Sequence, residues 1–178
     1  AATTGTFKRT SNMTLVDEVS MTGDLSITGT KDLVTIFAAA GKRHFTVGAH
    51  TLTITWLRLV GGNSAASANC GGSIYAKLGT VNTFHSVFDG NKKLSGAGGA
   101  CCCSDSAICR FRNTTFRNNK AKKGGAIFAG FGSTKVILQE TTLRDNVASG
   151  VGGGLAVEGG SLVTASIADS VLLENEAD

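Results

Sequence analysis

Residues that can carry out acid, base or metal chemistry are few in this chain, and they are scattered. The carboxylates nearest to strand-like segments are Asp89, Asp105, Glu140, Asp145 and Asp169. Cleavage of an acidic polysaccharide needs clustered carboxylates for acid, base or Ca²⁺ chemistry, or an arginine base beside them. The sequence has no Asp-Asp pair and no Asn-Thr-Asp triplet. We therefore predict a protein that is not an enzyme and has no catalytic residue, metal or cofactor, with a polysaccharide lyase or hydrolase as the alternative.

The five cysteines are the second group with chemical potential: Cys70, Cys101, Cys102, Cys103 and Cys109. None of them forms a C-x-x-C pair and the histidines lie elsewhere, so a zinc site is not expected. In an alternating strand Cys101 and Cys103 face inward and Cys102 faces outward. Two interpretations remain open. The inward pair packs as small buried hydrophobes, or Cys70 and Cys109 each form a disulfide with a member of the triplet and leave one thiol over.

Basic residues are concentrated in the middle of the chain, which carries 17 basic and 13 acidic residues and a net charge of +4. Stacked repeats would align some of them into a stripe able to bind acidic glycans. The other interpretation is that lysine and arginine occupy solvated outer positions. Nucleic acid is not an expected partner, because no aromatic row or known binding motif accompanies the charge. The residues concerned are Lys92, Lys93, Arg110, Arg112, Arg117, Lys120, Lys122, Lys123 and Arg144.

Two sequons match the acceptor pattern for N-glycosylation, Asn12-Met13-Thr14 and Asn113-Thr114-Thr115. Such triplets also occur by chance. Asn12 and Asn113 are therefore candidate glycosylation sites only for a chain that passes through a secretory route, and Asn113 also requires an outward side chain.

All these residues are embedded in a repeat. An apolar residue followed three positions later by asparagine occurs five times, and successive asparagines are 27 to 29 residues apart. A glycine pair follows each of the first four asparagines. In a turn, asparagine tolerates left-handed geometry and bonds to nearby backbone or to stacked copies of itself, so we predict a structural role. The asparagines are Asn63, Asn91, Asn119, Asn146 and Asn175, and the second glycines of the pairs are Gly72, Gly99, Gly125 and Gly153.

A fixed period of this length predicts a solenoid, because each unit can bury its apolar face only against its neighbours. After each glycine pair the residues alternate with period two, as Ile127 and Ala129 do with Phe128. At roughly 3.3 Å per residue, one unit makes a rung of about three short strands with turns. The predicted fold is therefore all-β, a single-stranded parallel β-helix with 27 to 29 residues per coil.

One copy of the repeat contains both of its halves literally, Phe116-x-x-Asn119 and Gly124-Gly125-Ala126-Ile127. In their order and period these elements resemble the repeats of the chlamydial polymorphic membrane proteins. The other copies are degenerate, with Leu143 and Leu172 in place of phenylalanine. The resemblance covers about residues 55 to 178. It implies a right-handed β-helix that is secreted or displayed on a cell surface and that serves as an adhesin.

The composition predicts one domain of 178 residues, since 42% hydrophobic and 17% charged residues suffice for a sizeable core. Residues 1–55 lack the glycine pair but carry strand-like runs, so they are predicted to be irregular first coils of the same solenoid, and residues 56–178 its regular coils. No apolar run is long enough for a transmembrane segment. No capping segment follows the last repeat, so we expect a longer protein, or a protein partner or further coils at that end.

These features predict a non-catalytic, secreted or cell-surface module, either adhesin-like or a structural subunit of an extracellular assembly. Tyr75, Phe128 and Phe131 are outward apolar residues near the glycine-pair strand and are the first candidates for a contact face. Lys122 and Lys123 are the candidates for contact with an acidic glycan. The alternative is a β-helix protein that binds or cleaves polysaccharide with the basic stripe.

Overall fold

A computed structural model describes residues 4–65, 70–159 and 162–177. Over these ranges the secondary structure consists of β-strands, and no helix capable of spanning a bilayer is found among them. The strands are β1 (Gly5–Lys8), β2 (Met13–Thr14), β3 (Val19–Ser20), β4 (Leu25–Thr28), β5 (Val34–Phe37), β6 (Phe45–Val47), β7 (Thr51–Thr55), β8 (Leu57–Val60), β9 (Ile74–Lys77), β10 (Thr80–Phe84), β11 (Val87–Asp89), β12 (Lys92–Ala97), β13 (Cys101–Ser104), β14 (Ile108–Arg112), β15 (Thr115–Arg117), β16 (Lys120–Lys123), β17 (Ile127–Gly130), β18 (Lys135–Gln139), β19 (Thr142–Arg144), β20 (Val147–Val151), β21 (Leu155–Glu158), β22 (Thr164–Ala168), β23 (Val171–Leu173) and β24 (Glu176–Ala177).

The strands form four sheets along the stack of coils. Sheet A has the order β1-β4-β7-β10-β14-β18-β22, sheet B β2-β5-β8-β11-β15-β19-β23, sheet C β3-β6-β9-β13-β17-β21 and sheet D β12-β16-β20-β24. Neighbouring strands come from successive passes of the chain and pair in parallel, for example β10 with β14 and β13 with β17. The predicted all-β parallel solenoid is therefore confirmed. The right-handed sense of the coil remains a prediction.

The first coils lie in the same sheets as the later ones. Strands β1 to β7, which fall in the part of residues 1–55 that the structure describes, contribute to sheets A, B and C. In sheet A, Gly5 of β1 pairs with Leu25, whereas Leu25 in turn pairs with Leu52. The first coil is therefore shorter than the second, and it leaves less chain to fill the interior.

The core lies between the sheets and is built from the inward position of each alternating strand. In β10 and β14 the buried residues alternate with more exposed ones, as the period of two requires. Phe88 and Phe116 occupy equivalent places in sheet B and stack with their ring centroids 4.6 Å apart. Phe111 meets the Phe116 ring edge-on at 4.9 Å. Aromatic stacking thus adds to the apolar burial that holds successive coils together.

The repeated asparagines form a buried ladder. The Asn91 Nδ2 donates to Asn119 Oδ1 at 3.0 Å, and Asn119 Nδ2 donates to Asn146 Oδ1 at 2.9 Å. The backbone N–H of Asn119 donates to the same Asn146 oxygen at 3.0 Å. The ladder continues to Asn175, whose Oδ1 accepts from Asn146 Nδ2 at 2.8 Å. Each rung therefore satisfies buried backbone and side-chain groups of two adjacent coils, which is the structural role that stacked asparagines were predicted to have.

Asn63 is a correction to the predicted ladder. The Asn91 Oδ1 accepts from the N–H of Gly62, not of Asn63, at 2.8 Å. The register of sheet B explains this, because Phe88 pairs with Leu59 and not with Val60. Asn63 lies one residue beyond the ladder position, pairs with Lys92 and is exposed. The predicted left-handed geometry also falls one residue earlier than expected, at Gly90, Asn118, Asp145 and Glu174.

The two members of the glycine pair have different roles. Gly124 has a φ of 58°, a left-handed conformation that glycine adopts without strain. Gly125 does not, but a Cβ built on it would overlap the carbonyl oxygen of Gly153 in the next coil. Glycine is therefore needed there because the backbones of successive coils approach too closely for a side chain. The same overlap with a carbonyl of the following coil occurs at Gly72, Gly99 and Gly153.

Candidate interaction groove

A groove of about 240 Å³ lies where sheet D meets sheet C in the middle coils. We call it the groove; its lining residues are Cys70, Ser95, Gly96, Ala97, Lys122, Lys123, Phe128, Phe131 and Glu158. Four of the five residues predicted from the sequence to make contacts with a partner are brought together here. Only Tyr75 is not among them.

A bulge in β12 builds one wall of the groove. Lys93 pairs with Ala121 and Ala97 pairs with Lys123, so β12 uses four residue steps where β16 uses two. The extra residues include Ser95, which is exposed, and Gly96, which is buried, and both line the groove. The bulge is not visible as a motif in the sequence.

Two phenylalanines supply the apolar part of the groove. Phe128 projects away from the main core, as predicted, but it is only 3% exposed because it packs with Ala97, Cys102 and Ala156 in a second, smaller cluster. It therefore forms the buried base of the groove and is not the exposed contact residue that was expected. Phe131 is 61% exposed, and its ring centroid lies 6.4 Å from that of Phe128.

Phe131 also has a left-handed backbone, with a φ of 63°. Its carbonyl accepts from the hydroxyl of Thr134 at 2.6 Å, which holds the turn. A bulky residue in this conformation costs about 1–2 kcal/mol relative to glycine. Leu78 has a similar φ and exposure at the equivalent turn two coils earlier, so Phe131 is distinguished from it by lining the groove.

The charged residues of the groove are two lysines and one carboxylate. Lys123 Nζ lies 2.8 Å from Glu158 Oε2, and the two side chains are 42% and 37% exposed. Lys122 is exposed and has no ion-pair partner among the residues that the structure describes. One positive charge of the groove is therefore left uncompensated.

Tyr75 lies outside the groove and is a correction to the predicted contact face. The Arg43 guanidinium lies 5.3 Å from its ring centroid and covers it. Arg43 is itself buried, and it donates to the Cys70 carbonyl and to Ser64 Oγ, both at 2.8 Å. Tyr75 therefore packs against a guanidinium that bonds to both Ser64 and Cys70.

The cysteines form two disulfides and one buried thiol. Cys70 is bonded to Cys102 across neighbouring coils, and Cys103 is bonded to Cys109. Cys101 is free and fully buried, and burial raises the pKa of its thiol. The disulfide interpretation is thus confirmed, with Cys101 as the thiol left over, whereas packing of both inward cysteines as free thiols is wrong for Cys103. The Cys70–Cys102 bond ties one wall of the groove to β13.

The basic residues do not align into one stripe. Two pairs are in register, Lys92 with Lys120 in sheet D and Arg117 with Arg144 in sheet B. Several are compensated by carboxylates: Arg58 and Arg117 both bind Asp89, and Arg144 lies 2.6 Å from Asp145. Among the described residues, the exposed lysines without an ion-pair partner on sheet D are Lys92, Lys120 and Lys122.

A buried histidine was not predicted from the sequence. His44 and Ser73 are both fully buried, and His44 Nδ1 lies 2.9 Å from Ser73 Oγ. The other ring nitrogen lies 3.0 Å from the Ile36 carbonyl. Burial lowers the pKa of His44 to about 4. The pair resembles a nucleophile and base, but neither side chain reaches the surface, so it serves packing and hydrogen bonding.

The two sequon asparagines are both exposed. Asn12 Oδ1 accepts from the Thr35 N–H at 2.8 Å, and Asn113 occupies a turn with a φ of 48°. Their glycosylation remains a prediction.

Residues 113–130 match the Chlamydia polymorphic membrane protein repeat. The matched segment spans β15 to β17 and includes Asn119 of the ladder, the pair Gly124-Gly125 and three groove residues. No curated protein and no solved structure matches the chain significantly. The chain therefore carries a repeat of the chlamydial polymorphic membrane protein type within a β-solenoid.

Proposed function

We propose that the chain is a non-catalytic interaction module of a secreted or cell-surface protein, adhesin-like in its role, and that the groove is its contact site. The observation that carries this proposal is the position of Phe131, which is 61% exposed on a groove that also contains Lys122, a lysine without an ion-pair partner in the described part of the chain. An exposed aromatic ring bordered by charged groups in a groove is typical of a contact site.

The surroundings of Phe131 suit a contact site. The groove is attached to stacked parallel sheets, and the Cys70–Cys102 bond holds one of its walls. A site that is rigid before binding loses little conformational entropy when a partner docks.

The repeat and the disulfides support the proposed location in a secreted or cell-surface protein. The repeat at residues 113–130 is named for a membrane-protein family of Chlamydia. Disulfides form and persist in oxidising compartments, which include the periplasm and the cell surface. Both observations favour a module that acts outside the cytoplasm.

Binding of the purified, fluorescently labelled chain to a panel of intact cultured cells tests the proposal by flow cytometry. Phe131→Ala is expected to weaken binding at least about tenfold, since exposed aromatic anchors dominate contact energies. Leu78→Ala is a matched control. Leu78 follows the residue of β9 that is equivalent to Gly130, has a φ of 65° and is 59% exposed, but it does not line the groove.

Leu78→Ala should bind as the unchanged chain does. Equal binding by both variants, or no binding to any cell type, would overturn the proposal. Thermal unfolding of both variants shows whether a loss of binding reflects a loss of fold.

A further inference from the structure

We propose that the groove binds a single pyranose ring that carries one negative charge, as a carboxylate or a sulfate. The inference rests on the proposed function and names the ligand class of the same site. It follows from the charge balance, the hydrogen-bonding groups, the aromatic surface and the size of the groove.

The charge balance calls for one anionic group. Of the two lysines, Lys123 is paired with Glu158 at 2.8 Å. Lys122 remains exposed and unpaired by any carboxylate of the described residues. An ammonium group at a groove edge attracts a carboxylate or sulfate by a charge-assisted hydrogen bond.

Glu158 distinguishes a sugar from an acidic peptide. Its carboxylate accepts hydrogen bonds only, while Lys123 beside it donates only. A hydroxyl group both donates and accepts, so neighbouring sugar hydroxyls satisfy both members of the ion pair. A segment with several carboxylates would instead be repelled by Glu158.

The apolar part and the size suit one ring. Phe131 presents an exposed ring, and Phe128 packs behind it at 6.4 Å between centroids. The C–H groups on one face of a pyranose pack against such a ring, and its hydroxyls are left for the ion pair. The volume of about 240 Å³ falls below the 300 Å³ or so at which sites for drug-sized ligands begin.

The bulge of β12 adds a further hydroxyl. Ser95 is exposed and lines the groove beside Gly96, which has no side chain. Because both residues are small, a small polar ligand can approach this part of the groove closely without meeting a bulky apolar side chain.

The test uses D-glucuronate and glucose 6-sulfate as probes, with glucose and a short glutamate-rich peptide for comparison. Binding to the folded chain is measured by NMR titration at low salt. Both anionic sugars are expected to bind with a Kd on the order of 1 mM, and glucose at least about tenfold more weakly. Binding of the peptide as tightly as glucuronate, or of glucose equally well, would overturn the proposal.

Three variants locate the site. Lys122→Gln should weaken glucuronate binding about tenfold, whereas Lys135→Gln removes an equal charge from sheet A and should leave binding unchanged. Glu158→Gln should strengthen the binding of the peptide, which carries several carboxylates, more than that of glucuronate, which carries one. Equal responses to Lys122→Gln and Lys135→Gln would show a general charge effect and contradict the site.

The sugar proposal and the contact proposal fail in different ways. If cell binding depends on Phe131 but no sugar binds, the proposal of a contact site is supported and the proposal of a sugar ligand is contradicted. Sugar binding that depends on Lys122 with cell binding unaffected by Phe131→Ala supports the sugar site and overturns its role in cell contact.

Discussion

The side-chain amide of Asn119 donates to Oδ1 of Asn146 at 2.9 Å, and both side chains are fully buried. Asn119 also accepts from the backbone and side chain of Asn91 and donates to the Phe88 carbonyl. One residue thus connects three successive coils.

Replacing Asn119 by alanine should therefore be costly. The change leaves the buried backbone N–H and a side-chain N–H of Asn91 without their acceptor, each at about 1–3 kcal/mol. We expect the free energy of unfolding in urea to fall by about 3 kcal/mol or more. Asn63→Ala is the control, because Asn63 has the same place in the sequence motif but lies outside the ladder, and its effect should stay within about 0.5 kcal/mol. Similar losses for the two variants would contradict the register of the ladder.

The close approach of coils at the glycine pairs makes a second prediction. Gly125→Ala forces a Cβ into the Gly153 carbonyl, so the coils must move apart. We expect a loss of about 3 kcal/mol or more in the free energy of unfolding. Gly48→Ala is the comparison, since its added Cβ meets nothing within 4 Å and its φ is not positive. That variant should be neutral or slightly more stable; an equally stable Gly125→Ala chain would show that the coils are not in such close contact.

The buried His44 makes stability dependent on pH. Its pKa is lowered from 6.5 to about 4 by burial, so between these values the unfolded chain binds the proton more readily. Stability is then fully present above about pH 6.5 and declines as the pH falls toward 4, by up to about 3 kcal/mol at about 1.4 kcal/mol per pH unit. Partial burial raises the pKa of Asp89, but hydrogen bonds from Asn118, Arg58 and Arg117 together lower it below its usual value, so its ion pairs are lost only at still lower pH.

Urea unfolding of the chain at pH 7, 5.5 and 4 measures this dependence. His44→Gln should flatten the decline whatever its own stability, and His85→Gln, at the surface, should retain it. A decline of equal size in His44→Gln would assign the effect to other groups.

The two disulfides should differ in their reactivity. Cys70 is partly exposed, whereas Cys103 and Cys109 are fully buried. Because a reductant must reach a sulfur, a phosphine added to the folded chain should cleave Cys70–Cys102 first. Alkylation and peptide mapping should then label Cys70 but not Cys101, whose thiol is buried with a raised pKa. Earlier cleavage of Cys103–Cys109 would mean that the core is open at that point.

The solenoid could be predicted because its repeat is recorded in the sequence. Asn91, Asn119 and Gly125 recur at the coil length, and a residue that must bond to its own copy one coil away has little freedom to vary. Asn63 was misplaced because the spacing of apolar residues alone does not fix the register of a single coil, where Gly62 occupies the ladder position.

The groove could not be predicted from local sequence patterns, for a different reason. It depends on the bulge of β12 and on an ion pair between Lys123 and Glu158, which are 35 residues apart. The alternation of inward and outward residues along the strand correctly predicted that Phe128 points away from the main core. It could not show that Cys102 and Ala156 of neighbouring coils would bury that ring.

The most direct test of the groove as the contact site is photo-crosslinking on intact cells. A benzophenone amino acid replaces Phe131 in one chain and Leu78 in another, so that the reactive group lies at equivalent turns two coils apart. We predict crosslinked adducts from position 131 and not from position 78, with competition by the unlabelled chain. Equal yields from both positions, or adducts from position 78 alone, would contradict a contact site in the groove.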